Sequence, residues 1–162
     1  MGSFLGAKRR FEFWVKESDT TDAEGNVTHG RVVIDDYAHH PDELRASISS
    51  VKALYPGREL TVAFQPHLYT RTRDFAEGFA EALDLADEVI LLDIYPAREL
   101  PIEGVTSQII FDRLKCEKKL LIRREDLTKT VKNRNFEILL TAGAGDIADL
   151  VPEVVKALES NG

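Results

Sequence analysis

An alternation along the chain constrains its fold most strongly. Short apolar segments with strand character recur, and between them lie segments whose apolar residues fall at helical spacing. Strands are read at residues 31–35, around the unbroken run Val32-Val33-Ile34, and at 60–64, 88–94, 119–122 and 137–140. A continuous apolar run suits a strand buried on both faces, as in parallel sheets. Helices are read from Pro41 to Leu54 and at 72–85, 105–114, 125–131 and 147–158. In the first, Leu44, Ile48, Val51 and Leu54 share one face, Asp42 and Glu43 favour the positive end of the dipole, and Pro56-Gly57 ends the helix. In the second, Phe75, Phe79, Ala82 and Leu83 are expected to point inward. An aromatic segment at 11–16 reads as a further strand, and the polar stretch 22–30, with Gly25-Asn26, reads as a hairpin connection.

Strands alternating with helices imply parallel pairing through right-handed crossovers. The expected fold is α/β: a Rossmann-like three-layer domain with a mostly parallel sheet of about six strands and an N-terminal β-hairpin. A chain of 162 residues fits one such domain. The 21 basic and 28 acidic residues leave a net charge of -7, which argues against nonspecific binding to nucleic acid. No apolar run approaches the ~20 residues of a membrane span, and no secretory leader is visible. Cys116 is the single cysteine, so no internal disulfide can form and a reducing, cytoplasmic setting is expected. The opening Met1-Gly2-Ser3 reads as a leader or a cut point.

In a parallel sheet, ligands sit beyond the carboxyl ends of the strands, so the strand-to-helix loops carry the functional reading. The first is Asp35-Asp36-Tyr37-Ala38-His39-His40-Pro41. Its carboxylates can accept from ribose hydroxyls or bind a cation, and its imidazoles titrate near neutrality. They can equally be a capping residue and half-exposed packing groups. Adjacent histidines are a poor metal signal, because neighbouring side chains diverge and no third ligand is evident. The second is Gln65-Pro66-His67-Leu68-Tyr69-Thr70-Arg71-Thr72-Arg73, where Arg71 and Arg73 either clamp an anion or pair with Asp74 and Glu77. A helix opening there adds its positive end beside Arg71. The third, 95–104, is long for an α/β connection. The fourth, Gly143-Ala144-Gly145-Asp146, permits close backbone approach of a ligand or tight strand–helix packing, and is neither a dinucleotide fingerprint nor a Walker A loop. The Lys8-Arg9-Arg10 run is either a phosphate contact or a solvated surface.

Taken in order, Arg9-Arg10-Phe11-Glu12, the Asp35–Pro41 loop, Phe64-Gln65-Pro66-His67 with Tyr69-Thr70-Arg71-Thr72, Pro101-Ile102 with Gly104-Val105, and Gly143-Ala144-Gly145-Asp146-Ile147 resemble the C-terminal domain of the Mur ligases. The likeness runs from about Phe4 to Leu158, and sits best with the branch that adds L-alanine to UDP-N-acetylmuramate. It implies ATP-dependent amide formation through an acyl phosphate, in peptidoglycan synthesis, with Mg²⁺ held mainly by a central domain. The N-terminal sugar domain and that central ATPase domain are not in this sequence. Residues 1–8 would then be a leader or linker from the central domain and 9–160 the closing domain, inactive alone.

The resemblance also implies roles. Arg10 and Asp36 would bind ATP, Asp36 through the ribose. His39 and His67 would serve the chemistry and border the alanine site with Tyr37 and Arg71, Arg71 holding the carboxylate. No metal ligand is assigned. Two positions depart from the family pattern. Leu68 stands where an arginine often follows the Gln-Pro-His histidine, and Glu99-Leu100-Pro101-Ile102 stands where two glutamates usually precede the proline. Alternatives are the recycling ligase that attaches murein peptide to the same sugar, a stand-alone nucleotide-binding module, and a metal hydrolase using Asp35, Asp36, His39 and His67.

Overall fold

The computed structural model describes residues 11–17, 19–28, 30–133 and 136–160. In chain order its elements are β1 (Phe11–Lys16), β2 (Thr20–Thr21), β3 (Val27–Thr28), β4 (Val32–Asp36), α1 (Pro41–Leu54), β5 (Leu60–Phe64), α2 (Tyr69–Leu83), β6 (Glu88–Leu92), α3 (Gln108–Phe111), β7 (Lys119–Ile122), α4 (Leu127–Lys132), β8 (Ile138–Ala142) and α5 (Ile147–Ser160). A six-stranded sheet runs β1-β4-β8-β5-β6-β7, and β2 with β3 makes a separate two-stranded ribbon. Within the six-stranded sheet only β1 is antiparallel to its neighbour, and the β2–β3 ribbon is antiparallel too. The α/β fold and its mostly parallel sheet are those expected, and the polar stretch 22–30 read as a hairpin connection holds the ribbon's turn and β3, with β2 just before it.

The apolar strands are covered on both faces. Ile34, Val62, Phe64 and Leu140 pack with residues of α1, α2 and α3, including Leu44, Ile48, Phe79 and Ile110. Val33, Ala63, Ile90 and Leu139 pack on the opposite side with Leu127 and Val131 of α4 and Ile147, Val154 and Leu158 of α5. Chain order explains the two sides. The crossovers β4-α1-β5-α2-β6-α3-β7 step outward, and β7-α4-β8 returns to the gap between β4 and β5. A right-handed return must place its helix on the other face.

Register then sets the site. Asp36 lies opposite Ala142, and Ala142 lies opposite Phe64, so β4, β8 and β5 end in one row. Their three following loops start side by side.

Several expectations need correction. Leu54 and Phe75 are exposed rather than inward. At Phe75 the backbone leaves helical geometry (φ -119, ψ 18), and its ring meets the edge of the His40 ring at 5.8 Å. The helix α2 begins at Tyr69, not at 72, which takes Thr70 and Arg71 into its first turn. The long helix expected over 105–114 is the four-residue α3. The surrounding backbone bonds Ile109 N–H to Thr106 and Leu114 N–H to Phe111 span three residues, the tighter 3₁₀ pattern. The strand read as 88–94 stops at Leu92, and that read as 137–140 continues to Ala142. Arg10, the Lys8-Arg9-Arg10 run and the 1–8 segment lie outside the described residues.

Candidate functional site

The loop after β4 is shaped by α1. Glu43, in the first turn, accepts the backbone N–H groups of His39 (3.1 Å) and His40 (3.2 Å) with one carboxylate oxygen. This capping arrangement fixes the entry to the helix. His39 Nδ1 lies 3.0 Å from the Tyr37 carbonyl and 3.4 Å from Glu43. Tyr37 is exposed, with its ring edge-on to His39 at 5.6 Å. Asp36 closes β4, half-buried, and accepts the Ser47 hydroxyl at 2.5 Å. Asp35 points elsewhere: the Thr141 hydroxyl donates to it at 2.6 Å.

The loop after β5 faces this one. The His39 and His67 rings are 6.3 Å apart, edge to face. His67 lies parallel to the Tyr95 ring at 5.8 Å, and Arg71 donates from Nη1 to His67 Nδ1 at 3.1 Å. Burial pushes the His67 pKa below its ordinary value, and the nearby Arg71 and His39 charges push it the same way, against Glu99. The bond from Arg71 also wants Nδ1 as a neutral acceptor. The alternative pairing of Arg71 with Asp74 is not what forms. Arg73 makes that ion pair, at 2.9 Å, on the exposed side of α2.

Structure thus links Tyr37, His39, His67 and Arg71 by ring and hydrogen-bond contacts, and Asp36 ends the strand that leads into the first of the two loops. It also corrects two readings. The α2 N-terminus is not an open anion site, because the Glu99 carboxylate accepts the N–H groups of Tyr69 (2.5 Å) and Thr70 (3.1 Å) and the Thr70 hydroxyl (2.5 Å). These bonds, the Thr70 hydroxyl first, hold the Glu99 carboxyl below the usual range. And the glycines after β8 serve packing. A Cβ at Gly143 would lie 2.7 Å from the Gln65 carbonyl oxygen, and one at Gly145 would lie 2.5 Å from Gln65 Oε1 and 2.6 Å from Tyr95. Gln65, buried, fills that space: it donates to Asp146 at 2.6 Å and accepts from Ile147 N–H, capping α5. Gln65, Tyr95 and Glu99 are the participants that residue-type reasoning passed over. Their one visible signal is position, since each directly follows a buried strand or lies in the long loop behind one.

No three His, Cys, Asp or Glu side chains among the described residues are grouped to hold a metal ion. Asp35 and Asp36 turn to different partners, so the hydrolase set of Asp35, Asp36, His39 and His67 does not converge. No helix among the described residues is long and apolar enough to cross a membrane.

Comparison with known proteins places the chain among relatives of one kind. The UDP-N-acetylmuramate–L-alanine ligase of Flavobacterium johnsoniae is 47% identical over 99% of this chain and 33% of its own length. That of Parabacteroides distasonis is 52% identical over 98% of this chain and 32% of its own. The crystal structure of UDP-N-acetylmuramate–alanine ligase from Thermotoga maritima superposes with a TM-score of 0.65 at 30% identity, over 88% of this chain and 29% of that one. The chain therefore spans about a third of the length of the curated relatives it matches. Residues 10–148 match the family described as Mur ligase, glutamate ligase domain, and with the sheet order and the loop residues in place the chain belongs to that family.

Proposed function

We propose that this chain is the closing domain of an ATP-dependent ligase that joins L-alanine to UDP-N-acetylmuramate in cytoplasmic peptidoglycan synthesis, and that it is inactive alone. The observation that carries the reading is the contact of His39, His67 and Arg71 across two neighbouring loops at the row of strand ends, where Asp36 closes β4. Residues 9–160 form the closing domain. The segment 1–8 leads in from a central domain, and the N-terminal and central domains are its partners.

ATP would supply the phosphoryl group that activates the muramate carboxyl, with Mg²⁺ offsetting phosphate charge. The described residues offer one fitting contact for the nucleotide, the half-buried Asp36 carboxylate. Ser47 orients it through one oxygen, and it can accept from ribose hydroxyls. Arg10 is the second nucleotide contact. The Mg²⁺ ligands would lie mainly on the central domain.

Arg71 holds the alanine carboxylate. Its guanidinium donates in several directions, so it can keep His67 Nδ1 while gripping an anion with its remaining N–H groups. Burial and the Arg71 charge keep His67 neutral near physiological pH, so it adds no second positive charge. His39 and Tyr37 border the small side chain. These are positioning and electrostatic contributions, with no covalent nucleophile.

The test is phosphate release that depends on both alanine and UDP-N-acetylmuramate. The longer protein containing this chain should show it and the 162-residue chain should not. Release by the chain alone would overturn the reading.

A further inference from the structure

The loop after β6 clasps the loop after β5 at three places. Tyr95 donates its N–H to the Pro66 carbonyl at 2.8 Å. Leu68 donates its N–H to the Tyr95 carbonyl at 2.8 Å. Glu99 takes both leading amides of α2 and the Thr70 hydroxyl. The clasp matters because Leu68 sits at φ 72, a left-handed backbone that a leucine adopts only when its surroundings impose it. The Tyr95 bond and the capped first turn are what surround it. Arg71 and His67 lie on either side of Leu68 in this same turn.

We propose that Glu99 is a positioning residue for the amino-acid site: it fills the α2 N-terminus and fixes the first turn, so that an incoming carboxylate is gripped by Arg71. The inference rests on the ligase reading above. Its physical basis is competition between two anion seats on the same first turn of α2. Free amides at a helix N-terminus attract a carboxylate. Vacated, that seat would draw the alanine carboxylate away from the guanidinium and misplace its amine, and small misplacements are costly in catalysis. With Glu99 in place, those amides are taken and the Arg71 guanidinium offers positive charge and donors. None of these bonds joins Glu99 to Arg71 or His67; its charge also acts on His67, and the Glu99→Ala and Glu99→Gln pair, both uncharged, separates the bonds from the charge.

The experiment compares Glu99→Ala and Glu99→Gln in the longer protein. Losing hydrogen bonds to a charged group leads us to expect the Glu99→Ala KM for alanine to rise about 10- to 100-fold. Glu99→Gln keeps a side-chain oxygen that accepts from Tyr69 and Thr70, so it should recover much of this loss. The KM for ATP should stay within about twofold in both, since Asp36 lies on a different loop. An unchanged alanine KM in Glu99→Ala, or equal rises in both constants, overturns the proposal. A readout on the isolated chain separates this from failure of the ligase reading. The His67 ring and Arg71 side-chain NMR signals should move in Glu99→Ala, and less in Glu99→Gln, while amides of the β4 end stay in place. Unmoved signals overturn the proposal even if the ligase reading stands, and moved signals support it even if no alanine activity is found.

Discussion

Three parallel strands end in one row, β4, β8 and β5, and their loops meet different fates. The outer two, after β4 and β5, hold polar groups toward each other: Tyr37 exposed, His39, His67 and Arg71 half-buried. The middle one, after β8, carries the glycines that looked most like a ligand cradle, and it is full. Gln65 from the loop after β5 and Tyr95 from the loop after β6 occupy the space where side chains would stand. Small residues permit close approach, and here the closest approach is by the protein itself. The crevice between neighbouring strand ends is the usual ligand position in such sheets. In this domain the glycine positions of the middle loop are closed to any side chain by Gln65 and Tyr95.

The largest expected effect breaks or confirms the open half of that contrast. In the longer protein, Arg71→Ala should lower the specificity constant for alanine by about 30- to 1000-fold, or about 2–4 kcal/mol, with ATP affinity nearly unchanged. Arg71→Lys should recover part of it, because lysine lacks the planar fork. A change below about threefold would leave Arg71 as a surface cation, worth at most about 1 kcal/mol.

Next is the end of β4. Asp36→Ala should raise the KM for ATP by about 10- to 150-fold through the lost ribose contact. If the alanine constant moves instead, the β4 loop serves the other ligand. The filled half is tested by Gly145→Ala in the isolated chain. Crowding Gln65 and Tyr95 should cost about 1–3 kcal/mol, lowering Tm by about 2–12 °C. A variant of unchanged Tm but weakened ATP use would mean that the loop meets ligand, and the contrast would fail.

The smallest effect concerns pH. The His67 pKa is lowered in the folded chain from an ordinary value of 6.5, by burial first and then by Arg71 and His39. The folded state therefore binds fewer protons than the unfolded one below that value, and stability falls as pH drops from about 6.5 through the folded pKa. His67→Gln should flatten this part of the stability–pH curve, measured by urea denaturation between about pH 7.5 and 5.5. The Glu99 carboxyl is lowered from 4.5, so its contribution is complete above that pH and fades below it, outside the same window.

Much of this was legible in residue order. Val32-Val33-Ile34, the 60–64 segment and the helical spacing of Leu44, Ile48 and Val51 are local patterns, and they dictated a parallel sheet covered on both faces. The ordered loop motifs pointed to the Mur ligases and to Tyr37, His39, His67 and Arg71, which the fold then gathered. Local pattern failed where a distant group decided the outcome. Phe75 matched the inward spacing of α2, yet its backbone leaves helical geometry there and its ring stands against His40 instead of in the core. The role of Glu99 depends on amides 30 and 29 residues away, and the filling of the glycine loop depends on Gln65, 81 residues from Asp146. Sequence by itself determined which strands and helices form, because hydrophobic periodicity is a property of neighbours along the chain. Only tertiary structure decided which strand-end loop stays open and which is plugged, because a helix N-terminus or a glycine hollow is claimed by whichever polar side chain the packed sheet delivers to it.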